Sequence, residues 1–316
     1  MPPLDPTVAA GRNVVRRALA DLGPGSRIVV AVSGGADSLA LASVTAFVAD
    51  HESWDVRAVI VDHQLQPDSA DVAAKAAEQL VTIGIDTDVV PVEVGRVGGP
   101  EAAARSARYS VLESQAADAV LLAHTLDDQA ETVLLGLGRG SGPRSISGMA
   151  EVNGIFRRPF LSLRRSDTEQ MCAAAGLTWW VDPHNSDPAF RRVRIRSEVL
   201  PVLEDVLGGG VAEALARTAD QVRADGAHLD ALADAVDDPL AVCTLEALAP
   251  VLRSRVLRRT ALAAGADPSA LSSAHLAEVD RLVTDWHGQL RIELPGGVAC
   301  VRVGDSLAYV TTPVGG

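Results

Sequence analysis

Along the first 138 residues, short apolar runs alternate with stretches whose apolar residues recur at helical intervals. The runs at 27–32, 56–61, 88–94 and 119–122 are rich in Val, Ile, Leu and Ala and predict strands. Between them, 37–49, 69–83, 101–116 and 126–137 predict helices. Strand–helix alternation with short connections predicts the α/β class: a parallel sheet with helices on both faces. Ligands of such sheets bind beyond the carboxyl ends of the strands. Residues 1–22 lack an apolar segment followed by a small-residue cleavage site, and they predict an amphipathic helix.

The rhythm then changes. Residues 139–160 are rich in Gly, Ser, Arg and Pro and predict a loop. A helix is expected over 163–175, turn chemistry over 182–188, and another helix over 191–205. Gly208-Gly209-Gly210 interrupts the pattern and divides the expected domains, 1–207 and 208–316. The second is mainly helical (211–236, 245–264, 273–284) and ends in short strands at 290–294, 298–303 and 307–310. The strands suggest a small β-hairpin element around Pro295-Gly296-Gly297.

Composition sharpens this picture in three ways. No apolar run reaches the roughly 18 residues needed to span a bilayer, so a cytoplasmic protein without a membrane partner is expected. The three cysteines, Cys172, Cys243 and Cys300, are far apart and form no CxxC pair, which argues against a disulfide framework or a zinc site. The net charge of −13 is unevenly spread. Residues 139–196 carry 10 basic and 5 acidic side chains, a basic band in an acidic chain that suggests a directed anion site.

The strongest motif is Ser33-Gly34-Gly35-Ala36-Asp37-Ser38, placed after the first strand and opening a helix. Two glycines let the backbone turn and bring its N–H groups against a ligand. With the helix N-terminus they form an anion nest. Ser33 and Ser38 can add hydroxyls, and Asp37 can hold Mg²⁺ against phosphate. Neither G-x-x-x-x-G-K-[ST] nor G-x-G-x-x-G is present. A second motif, AHTLDDQAET at 123–132, begins where the fourth strand ends and faces the same crevice. Its Asp127, Asp128 and Glu131 either cap the helix or bind a metal and a cationic amine. His124 reads as structural or as part of the nucleotide site. Arg105 and Arg108, three apart in EAAARSARY at 101–109, share a helix face and are either solvated or aimed at phosphate charge. Downstream, DPHNSD at 182–187 precedes FRRVRIR at 190–196. These arginines, with Arg139, suit phosphate-backbone contact, and Phe190, Trp179 and Trp180 are either stacking surfaces or core.

The first of these motifs resembles the SGGxDS loop of the PP-loop ATP pyrophosphatases, a Rossmann-like fold. Together with Val61-Asp62-His63 and Leu65, EAAARxxRY, AHTxDDQAET, Leu137 to Met149, Arg158-Pro159-Phe160-Leu161 and DPxNxD, the chain is similar to the tRNA(Ile)-lysidine synthetases over roughly 26–200. The resemblance implies an ATP-dependent ligase. ATP adenylates C2 of the wobble cytidine of a CAU-anticodon tRNA(Ile), and free L-lysine displaces AMP. The implied nucleotide site comprises Ser33, Gly34, Gly35, Ala36, Asp37, Ser38, Asp62, His63 and His124. The implied catalytic set is Asp37, Arg105, Asp127 and Asp128, with Mg²⁺ on Asp37 and Asp127. Substrate contacts fall to Arg108, Asp128, Glu131, Arg139, Arg192 and Arg196. Which carboxylate holds metal and which holds lysine stays open, as does a homodimer. Gln66, Ser145, His184 and Val193 depart from the family's usual residues. Another PP-loop enzyme, a tRNA thiolase or a small-molecule amide ligase, is the alternative; a thiolase needs sulfur-handling cysteines.

Overall fold

A computed structural model of the chain describes residues 5–64, 66, 68–93, 95, 99–140 and 142–311. Leu65, Val94 and the side chain of His184 lie outside the described residues. The chain forms two compact units: Met1–Leu135 with Gly148–Arg217, and Gly136–Ser147 with Thr218–Gly316.

The first unit is built on a six-stranded sheet of order β3-β2-β1-β4-β6-β5. Its strands are β1 Arg27–Val32, β2 Asp55–Asp62, β3 Asp86–Pro91, β4 Ala119–Leu121, β5 Val152–Asn153 and β6 Phe156–Arg157. All pairings are parallel except β5 with β6. The central strands read as continuous apolar runs because both faces are covered. Ile28, Val30 and Val32 of β1 enter one core, with Ala58, Ile60, Ala119 and Leu121; Val29 enters the other, with Val59, Val120 and Leu122. Helices α1 (Pro6–Ala18), α2 (Ala36–Glu52), α3 (Ser69–Thr82) and, later in the chain, the helix Arg165–Ala174 contribute to the first core. α4 (Pro100–Glu113) supplies Leu112 and Tyr109 to the second. The crossover direction changes between β1 and β4, and the crevice opens at that switch point. α5 (Leu126–Arg139) follows β4.

Several boundaries differ from the expected ones. The third strand starts two residues earlier than 88, because its ladder to β2 begins at Arg57↔Asp86. Residues 139–160 are not wholly loop: they contain α6 (Pro143–Ile146) and the β5–β6 hairpin, whose Phe156 is buried while Gly154 turns the chain at φ 59°. α7 is Arg165–Ala174. The helix expected over 191–205 runs unbroken from Arg191 to Leu207, its middle residues Ile195–Val199 forming a wide turn of helix between α8 (Arg191–Arg194) and α9 (Leu200–Leu207). Pro201, which has no N–H to return to the preceding turn, sits just after the wide turn. α10 is Val211–Asp234.

In the second unit the expected helix over 245–264 is two helices, α11 (Val242–Ala247) and α12 (Pro250–Ala263), because Pro250 starts a new first turn after the extended Leu248 and Ala249. With α13 (Ser273–Thr284) they pack on an antiparallel sheet of β7 (Ile292–Leu294), β8 (Val298–Val303) and β9 (Ser306–Thr311). Arg253 is buried there and its Nε donates to Asp280 at 2.6 Å.

Candidate active site

The turn from β1 into α2 concentrates the backbone strain that the sequence assigns to glycine. Gly34 has φ 83°, and Gly35 is the extended N-cap of α2 with no side chain to occupy the helix N–H groups. The loop is braced from within. Ser38 Oγ donates to Gly35 O at 2.9 Å and lies 3.1 Å from Ser33 N, which donates to it; Trp180 N donates to Gly34 O at 3.0 Å. The α3 side chain of Val72 stands beside Gly34, and the loop borders a crevice, a cleft of about 700 Å³. Ser33, Gly35, Ala36, Asp37 and Ser38 line it, with Asp62 and His63 from the end of β2, Arg108 from α4, and His124 and Asp128 after β4. A cavity of this size suits a nucleotide.

Charge is organised in two layers. Asp37 and Asp128 are both bound by Arg165 at the start of α7. Its Nε donates to Asp37 Oδ2 at 3.4 Å and its Nη2 to Asp128 Oδ1 at 2.9 Å. Thr168 Oγ1 donates to Asp37 Oδ1, and Thr125 N and Oγ1 donate to Asp128 Oδ2. Burial pushes the Asp37 carboxyl up, against Thr168 and Arg165. Burial also opposes the ionised form of Asp128, but Arg165 and the Thr125 donors outweigh it and hold that carboxyl below its usual range. Glu131 lies deeper, fully buried, with Oε1 on Arg196 Nε at 2.7 Å and Oε2 without a partner. Burial raises its carboxyl despite Arg196.

The same cleft holds buried side-chain atoms that lack hydrogen-bond partners. The Nε of Arg108 and the Nδ1 atoms of His63 and His124 are buried and make no hydrogen bond. Such orphaned atoms in a cleft mark positions where a ligand would complete the pairing. Burial lowers the pKa of Arg108 and, with Arg108 beside it, that of His63. Burial takes His124 down to about 3, Asp128 opposing and Arg158, Arg108 and Arg105 adding to the fall. His124 is therefore neutral at physiological pH and serves as a hydrogen-bonding group rather than a cation. Because its folded pKa lies below the unfolded value near 6.5, acid favours the unfolded chain from about pH 6.5 downward, reaching its full extent near pH 3. His124→Gln is expected to remove about 2 kcal/mol of the stability lost between pH 7 and pH 5. Urea denaturation of wild type and variant at both pH values measures this, and equal losses would refute it.

The structure brings Asp37, Asp128, His63, His124, Arg108 and Arg196 to the cleft. It gives other expected residues different partners. Asp127 accepts from the backbone N of Arg165 at 2.8 Å and pairs with Arg164 at 3.2 Å, so its carboxylate caps the start of α7. Arg105 is exposed and its guanidinium lies over the Tyr109 ring, donating to Tyr109 Oη at 3.2 Å. Arg192 Nη2 donates to Thr132 Oγ1 at 3.2 Å. Arg139 belongs to the second unit. Sequence reasoning overlooked Arg165 and Thr168. The available signal was the Arg164-Arg165 pair inside the basic band, placed at a helix start where a cation is unexpected without acidic partners.

Known proteins resemble this chain along most of its length. Residues 11–203 match a PP-loop domain family, and residues 240–307 match the TilS substrate binding domain. The tRNA(Ile)-lysidine synthase of Thermobifida fusca (strain YX) is 51% identical over 303 residues, covering 92% of this chain and 94% of its own. That of Rhodococcus erythropolis (strain PR4 / NBRC 100887) is 50% identical over 309 residues, covering 95% and 93%. Among solved structures, the U34-tRNA thiolase NcsA from Methanococcus maripaludis shares the fold, with a TM-score of 0.58 at 16% identity over 68% of this chain and 79% of its own.

Proposed function

The chain belongs to the tRNA(Ile)-lysidine synthase family, and from that premise we propose that it joins free L-lysine to C2 of the wobble cytidine (C34) of the CAU-anticodon tRNA(Ile). ATP is the energy source and leaves as AMP and pyrophosphate; the modified tRNA then reads AUA in place of AUG. The work is expected in the cytoplasm, where tRNA, ATP and lysine meet.

One observation carries the reading: an anion nest and a set of buried carboxylates face the same cleft. The nest of Ser33–Ser38 amides suits the ATP phosphates. Arg108 and His124, whose buried atoms lack partners, suit the phosphate charge that moves as the cytidine O2 attacks and pyrophosphate leaves. The target atom is stacked in an ordinary anticodon loop, so the base must be extruded to reach the cleft. Lysine needs a carboxylate for an ammonium group and a cation for its carboxylate, and Glu131, whose Oε2 has no partner, and Arg196, which lines the cleft, form such a pair. Thiolation chemistry would need a sulfur-handling cysteine set, whereas Cys172 and Cys300 are buried and the exposed Cys243 stands in no CxxC pair.

Mg²⁺ fits the oxygen donors of Asp37 and Asp128, two carboxylates beside the phosphate nest with hard ligands only. When bound it supplies positive charge to the polyphosphate. Asp127, whose oxygens serve α7 and Arg164, is the weaker choice for that role.

The test is mass spectrometry of nucleosides from tRNA incubated with the protein, ATP and lysine. A lysidine peak is expected, and its absence with competent tRNA would overturn the reading. The basic band adds a second expectation. Arg191 is exposed and Arg192 half-buried at the start of α8. Reversing both to Glu is expected to weaken tRNA binding and flatten its salt dependence by roughly one unit of slope per lost phosphate contact. ATP binding should not change. An unaltered slope in filter-binding titrations would make these arginines ordinary surface.

A further inference from the structure

Asp37 and Asp128 divide their oxygens in a consistent way. One oxygen of each is held by a neutral donor that stays in place: Asp37 Oδ1 by Thr168 Oγ1, and Asp128 Oδ2 by Thr125 N and Oγ1. The other two, Asp37 Oδ2 and Asp128 Oδ1, converge on the Arg165 guanidinium. The backbone of Arg165 is fixed separately, because its N–H donates to Asp127 Oδ2 at 2.8 Å. Its side chain can therefore leave while the start of α7 and one oxygen of each carboxylate stay held, provided another cation takes its place. Two carboxylates this deeply placed repel each other strongly unless a cation lies between them.

We infer that Arg165 is a resident counter-cation: it fills the divalent-cation seat between Asp37 and Asp128 in the nucleotide-free enzyme and withdraws when the metal enters with ATP. This deepens the Mg²⁺ assignment above and rests on it. Arg165 is a positioning residue in this scheme. It keeps the carboxylates ionised and apart in the resting state, and it suppresses metal binding before the phosphates arrive. Because Arg196 lies 3.9 Å from Asp128, the seat remains next to a second cation when Arg165 moves, which favours a ligand bringing its own anionic partner, as a metal–polyphosphate complex does.

The probe is Mn²⁺ alone, titrated by electron paramagnetic resonance into the full-length protein without nucleotide. Wild type is expected to bind it weakly. Arg165→Gln is expected to bind it on the order of tenfold more tightly, since a competing ion pair has been removed. Adding Asp128→Asn to that variant should abolish the gain. Equal Mn²⁺ affinity in wild type and in Arg165→Gln of unchanged thermal unfolding would overturn the inference. So would a variant that gains affinity for L-lysine by calorimetry but none for Mn²⁺, because the seat would then belong to the amine. If Arg165→Gln fails to fold, Arg165→Lys keeps a charge that reaches one carboxylate; a smaller gain is expected, and no gain overturns the inference. Failure of the lysidine reading itself would show separately, as wild type lacking pyrophosphate release that depends on tRNA.

Discussion

Gly35→Val is expected to fold with a loss of no more than about 1 kcal/mol, valine being a poorer N-cap than glycine, and to lose ATP binding by a factor of about 100 or more. The two glycines of the loop do different work. Gly34 has φ 83°, and a Cβ there would stand 3.4 Å from Val72, so any side chain at that position is strained by on the order of 1–2 kcal/mol. Gly35 has φ −79° and ψ 162°, a conformation every residue adopts. A Cβ at Gly35 meets only Ser33 Oγ at 3.7 Å and enters the cleft that Gly35 lines. Valine there would therefore occupy the space of the phosphates without disturbing the core. Equilibrium binding of a fluorescent ATP analogue, beside a thermal melt, separates the effects. Retained nucleotide affinity would remove the loop from the phosphate site. A melt lowered in Gly35→Val as far as in Gly34→Val would mean the glycine serves folding.

The second large effect separates the carboxylates. Asp37→Asn is expected to cut pyrophosphate release with tRNA, measured without lysine, by about 10²–10³, the usual consequence of removing a preorganised electrostatic group. Glu131→Gln should leave that half-reaction within a few-fold of wild type and raise the lysine KM instead. Glu131 is separated from the nest, and its partner Arg196 retains Asp128 at 3.9 Å. Asp127→Ala is expected to do neither; it removes the cap from the Arg165 amide and lowers stability by about 1 kcal/mol. If Asp127→Ala loses adenylation as severely as Asp37→Asn, the metal assignment returns to Asp127. If Glu131→Gln stops pyrophosphate release, the division of labour proposed for the cluster is wrong.

Local signals in the sequence determined much of this protein. The alternation of apolar runs and helical spacings specified the α/β sheet, because strands covered on both faces need continuous apolar residues. Ser33–Ser38 specified the nest, because consecutive glycines after a strand have few other uses, and AHTLDDQAET placed a carboxylate cluster beside it. What the sequence could not decide was which oxygen meets which cation. Asp127, Asp128 and Glu131 occupy one helical stretch and look equivalent as letters, yet the helix turns them toward three environments. Asp127 goes to the α7 amide, Asp128 to Arg165 in the cleft, and Glu131 to Arg196 in the interior. Arg165 and Thr168, 128 and 131 residues from Asp37, are recruited only by the packing of α7 against α2. The arginine band likewise read as a single anion-binding surface, while the structure draws Arg165 and Arg196 inward to balance buried acids. Charge pairing of this kind is a long-range property, settled by which helices share a core rather than by spacing along the chain.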